Sequence, residues 1–114
     1  MMATIDWERF NENFQYYDME IISEVIENFF EEYEERLNTI EKNIADNDLK
    51  QLSFNAHSMK SVIGNFMAPA PHELCRRIEE QAKQNSGEGI PELFAELKLL
   101  TYAMSDELKE YLQK

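Results

Sequence analysis

The sequence predicts an all-α fold, an antiparallel up-and-down four-helix bundle with a short extra helix at the N-terminus. Three observations carry this. Only three glycines and three prolines punctuate 114 residues. Alternating β-branched runs are missing, and apolar residues recur at steps of three and four along most of the chain. Four substantial amphipathic stretches joined by short turns bury their stripes most simply by packing each against its neighbour in sequence.

The elements follow in order. A short helix is expected from Asp6, with Trp7, Phe10 and Phe14 spaced to lie as a lid over one bundle end. The next runs from about Asp18 to Ala45, where Ile22, Ile26, Phe29, Tyr33, Leu37, Ile40 and Ile44 make one long stripe. The acidic run around it, Glu31, Glu32, Glu34 and Glu35, is then the wet side of that helix, with Tyr33 turned inward. Asp46, Asn47 and Asp48 have short side chains that accept the free N–H groups of a new helix, so a third helix starts there. Pro69 and Pro71 are expected to end it, because proline disfavours helical geometry in the preceding residue and lacks a donor. Pro71 can also open the fourth helix, which reaches about Asn85 and turns Cys75, Ile78 and Ala82 inward. Ser86, Gly87, Glu88 and Gly89 form the most flexible linker. From Pro91 a last helix presents Leu93, Phe94, Leu97, Leu100, Thr101, Met104, Leu108 and Tyr111 on one face. Without an internal repeat or low-complexity tract, the chain reads as a single domain over 1–114.

Charge and composition narrow the function. A net charge of -12, from 23 acidic and 11 basic residues, argues against nucleic acid and anionic membrane surfaces, where cations supply the attraction. A protein or a cation is left as partner. With 43% hydrophobic residues, seven of them Phe, the chain has the core formers to fold alone. No run approaches the roughly 18 apolar residues of a membrane span. The lone Cys75 cannot form an internal disulfide and no signal-like segment opens the chain, so a cytoplasmic location is expected. The Met start and single-domain length point to a standalone protein, and a monomer is expected.

The third helix holds the most informative stretch. At about 100° per residue, Leu52, Ala56, Met59, Ile63 and Phe66 form an apolar stripe, while His57 points almost directly away from it. Beside His57 on that outer face stand Lys50, Ser53, Phe54, Lys60, Ser61 and Gly64: two cations, small residues and one aromatic. A neutral imidazole offers an unprotonated nitrogen near pH 7 that can attack phosphorus. Lys60, one turn on, can offset phosphoryl charge. Ser61 and Gly64 keep bulk away from the ring. Phe54 and Met67 either dock a partner or tuck against a neighbouring helix.

The order His57, Ser58, Met59, Lys60, Ser61 resembles the histidine-containing phosphotransfer (HPt) domain family, whose signature is histidine, any residue, a bulky apolar residue, lysine, then small residues. Ala68, Cys75, Ile78 and Glu79 fall at the family's later positions without a gap. Ser61 and Met67 stand where glycines are usual, and Pro71 replaces a usual aliphatic. Ser61 is still small, so access to His57 survives.

The resemblance implies a phosphoryl carrier. His57 would exchange a phosphoryl group with receiver-domain aspartates, Lys60 would assist, and Ser53, Phe54, Ser61, Gly64 and Glu79 would complete the binding face. Glu79 either accepts a hydrogen bond from the imidazole and fixes its tautomer, or is a plain surface glutamate. Partners implied are response-regulator receiver domains, a hybrid sensor histidine kinase, or both. Any Mg²⁺ comes from the receiver, so no cofactor is expected of this chain. The absence of a nucleotide-binding loop or kinase signature argues against autonomous ATP-dependent kinase activity. Cys75 reads as a buried structural thiol and His72 as solvated. His57 and His72 lack zinc spacing and thiolate companions, so no metal site is expected. The rival reading is a non-phosphorylated helical adaptor that kept the bundle and lost the relay. A cation-buffering acidic protein would explain the charge but not the His57 face.

Overall fold

The computed structural model describes residues 3–114 as five helices and, among these residues, no strand. They are α1 (Trp7–Phe14), α2 (Met19–Ala45), α3 (Leu49–Gly64), α4 (Pro69–Lys83) and α5 (Ile90–Leu112). The bundle is α2 to α5. Each packs on its predecessor, and α5 closes back onto α2, the pattern of an up-and-down bundle. The α3–α4 pair is the most extensive of these contacts. No helix among the described residues is long and apolar enough to cross a membrane.

Side-chain caps start two of the helices. Asp6 accepts from the Arg9 N–H at 3.2 Å to open α1, and Asp48 accepts from the Gln51 N–H at 3.2 Å to open α3. The predicted stripes are the core. In α2, Ile22, Ile26, Phe29, Tyr33, Leu37 and Ile40 are buried, with Ile44 half-buried. In α3, Leu52, Ala56, Met59 and Ile63, and Phe66 in the turn just after it, are all at most 2% exposed. Each large apolar side chain buried this way contributes about 1.5–3 kcal/mol relative to exposure.

The boundaries around the prolines differ from expectation. Neither proline stops α3, which ends at Gly64 in a turn whose Met67 has a left-handed φ of 57°. Pro69, not Pro71, takes the first position of α4, and Pro71 is buried at the third. Both sites lie where a helix N–H has no intrahelical acceptor, so the missing donor costs nothing there. At the other end α4 stops at Lys83, two residues short of the expected Asn85. Gly89, at φ 78°, opens α5 one residue early, which buries Ile90.

α1 does cap the bundle end. Phe10 and Phe14 are buried, and Trp7 lies 4.7 Å from Phe10 and 5.3 Å from Tyr111 between ring centroids. The segment before it is tied down as well. The Glu107 carboxylate of α5 accepts from the N–H groups of Thr4 at 2.8 Å and Ile5 at 3.0 Å, and Ile5 is buried.

Candidate functional site

Because the apolar stripe turns α3 one way, the residues on its back are turned outward. His57 is the ninth residue of this 16-residue helix, and its side chain is 60% exposed. Phe54 is 69% exposed, so it does not tuck against a neighbouring helix. Ser61 is exposed, while Ser53, Lys60, Gly64 and Met67 are half-buried. Although the chain carries a net -12, α3 itself contains no acidic residue. The outward face of α3 therefore adds no carboxylate of its own to repel an approaching anion.

One carboxylate reaches this face from below. Glu79 of α4 is buried, which overturns the plain surface reading. Its Oε2 lies 2.9 Å from His57 Nδ1 and 2.9 Å from Lys83 Nζ, and its Oε1 accepts from Lys60 Nζ at 2.7 Å. Burial pushes this carboxyl's pKa up, but hydrogen bonds from Lys60, Lys83 and His57 outweigh it and hold the value at about 2. Glu79 is thus ionised at neutral pH. An ionised carboxylate can only accept, so a neutral His57 must carry its hydrogen on Nδ1 and its lone pair on Nε2, across the ring. The pair places the nucleophilic nitrogen on the exposed side.

From the other flank α2 holds α3 in this rotation. Arg36 Nη1 donates to Ser58 Oγ at 2.8 Å, and Asn55 Nδ2 donates to Asn43 Oδ1 at 2.7 Å. Neither Arg36 nor Lys83 was singled out from sequence. Lys83 sits four residues after Glu79, a spacing that signals a helical ion pair. Nothing local marks Arg36.

Two neighbours read differently once packed. Gly64 is the last residue of α3 rather than a mid-helix glycine. A Cβ there would lie 3.3 Å from His72 Cδ2, so any side chain at this position requires that ring to shift by a few tenths of an ångström. His72 is correspondingly half-buried, not solvated. Cys75 is fully buried, and burial pushes its thiol up to about 12, which leaves it an unreactive core group.

Among curated proteins and among solved structures no match is found. The family model of the Hpt domain matches residues 24–113.

Proposed function

Since the chain belongs to the Hpt domain family, we propose that it is a histidine phosphotransfer protein of a two-component phosphorelay, shuttling a phosphoryl group between His57 and receiver-domain aspartates. The observation that carries this is the exposed imidazole with Nδ1 held by a buried, ionised Glu79.

The chemistry follows from that pair. The Nε2 lone pair attacks the phosphorus of a receiver's phospho-aspartate in line. As the N–P bond forms, the P–O bond breaks and its electrons return to the aspartate carboxylate. The imidazole gains positive charge as it reacts, and the Glu79 carboxylate against Nδ1 offsets it. Lys60, already hydrogen-bonded to Glu79, is one helical turn from His57 and can share its ammonium with phosphoryl oxygens. Positioning and charge neutralisation account for most of the catalysis of phosphoryl transfer, so an exposed nucleophile is sufficient on this side. Mg²⁺ belongs to the receiver in this scheme. Glu79 already accepts from Lys60, Lys83 and His57, and the two ammonium groups around it oppose a divalent cation beside His57. The protein acts in the cytoplasm as a monomer, as a carrier rather than an ATP-dependent kinase.

The test is transfer itself. Purified phosphorylated receivers of the source organism should label the protein, and labelled ATP alone should not. If no receiver labels it, the non-phosphorylated adaptor is the better reading.

Two variants probe the face around His57. Lys60→Ala should slow transfer or shorten the phosphohistidine lifetime by about 1–3 kcal/mol, with helicity by circular dichroism unchanged. Wild-type rates and lifetime would reduce Lys60 to a partner of Glu79. Ser61→Arg should block receiver binding by bulk, as seen in titration calorimetry. Gly64→Arg would also displace the His72 ring, so Ser61 is the cleaner position.

A further inference from the structure

α1 and the segment before it lie outside the family-matched residues 24–113, yet they are bonded to the turn that follows the His57 helix. The Asp6 N–H donates to Met67 O at 2.7 Å, and Asn13 Nδ2 donates to Asn65 O at 3.4 Å. Met67 is a non-glycine residue in the left-handed region, a conformation that needs such support. Between these parts is an open depression, walled by Gly64, Met67, Ala68 and Pro69, with His72 at its side and the loosely paired Asp6 and Arg9 on its rim.

A partner centred on His57 is large enough to reach this depression. Gly64 is seven residues from His57, two turns along one helix face, hence about 10.5 Å away. A standard interface buries about 800 Å² per partner, a disc of roughly 16 Å radius. The rim charge is distinctive too. Arg9 is the one basic residue in the first 35, against eleven acidic ones. Its side chain is 74% exposed and only loosely paired, at 3.7 Å, with Asp6.

Resting on the phosphotransfer reading, we propose that α1 forms one wall of the receiver-docking surface. In this arrangement Arg9 pairs with a carboxylate of the receiver, and the depression beside it takes an apolar side chain next to that carboxylate. The planar guanidinium suits a carboxylate, and the Met67 and Pro69 walls suit an apolar group. α1 is then a specificity element added to the bundle, and receivers lacking an acid at that position are the poorer partners.

The experiment is transfer kinetics of the full chain with purified phospho-receivers. For the receiver that wild type uses best, Arg9→Glu should raise KM about 10-fold or more and leave kcat within about twofold, and Arg9→Lys should recover part of the loss. A KM within about twofold of wild type in Arg9→Glu, or a loss confined to kcat, overturns the proposal while leaving phosphotransfer intact. If wild type exchanges phosphate with no receiver, the phosphotransfer reading fails and this inference with it.

Discussion

His57→Gln is expected to abolish labelling by phosphorylated receivers, the largest functional effect of any single change. Glutamine keeps a polar side chain at an exposed site, so the helix and the core stripe beneath it should be undisturbed, and circular dichroism and thermal unfolding should match wild type. What is lost is the only group on α3 that offers a nucleophilic nitrogen near pH 7. The bond formed in wild type is a phosphoramidate, whose nitrogen protonates readily and then leaves. The label should therefore disappear in acid and persist in alkali, and peptide mapping should place it on His57 and not on His72. Label remaining in the His57 variant would move the acceptor elsewhere and end the proposed mechanism.

Glu79→Gln should cost the most stability among changes at the site, and should slow transfer as well. With its pKa held at about 2, against the ordinary 4.5, this carboxyl releases its proton more readily folded than unfolded. Its contribution is therefore fully present above the unfolded value and is lost as pH falls toward 2. The shift corresponds to about 3 kcal/mol at pH 7, an upper figure, since Lys83 and His57 are largely exposed and regain water when the charge is removed. Denaturant unfolding should show the gap between wild type and Glu79→Gln shrinking from pH 6 to pH 2. A constant gap would mean that the amide disrupts packing rather than charge. On the functional side the amide can either accept from or donate to the imidazole, so the tautomer is no longer specified. Nitrogen NMR should report the Nδ1–H form in wild type and a mixture in the variant. Transfer should slow by about 1.5–3 kcal/mol, or roughly 10–150-fold, the range for a hydrogen bond to a charged group.

Much of this architecture was legible because helical periodicity is local. The spacing of Leu52, Ala56, Met59, Ile63 and Phe66 places them on one side, and the same rotation turns His57 and Phe54 away. The same reasoning read α2 correctly, including Tyr33 turned inward amid its acidic neighbours. It was less successful at the ends of helices. A proline is compatible with the first turn of a helix and hostile to its interior, so Pro69 and Pro71 could mark a stop or a start, and here they lie within the start of α4. On α5 the predicted stripe is largely buried, but Ser105 joins the core with its hydroxyl unpartnered, and Leu99 is left 73% exposed. Neither follows from periodicity alone.

By itself the sequence determined that the chain is helical, which side of each helix is apolar, and that one histidine with a lysine a turn away faces solvent. Those properties depend on residues within a few turns of one another, where the backbone repeat sets the geometry. Only the tertiary structure decided that Glu79, 22 residues beyond His57 and on another helix, is buried under the imidazole and shared with Lys60 and Lys83. It also decided that Arg36 braces Ser58 from α2, and that α1 reaches the turn at Met67. These contacts depend on how far each helix is rotated about its axis and slid along its neighbour. That register is set by the packing of all the buried side chains together, and a difference of a few ångströms decides whether a carboxylate meets an imidazole or water.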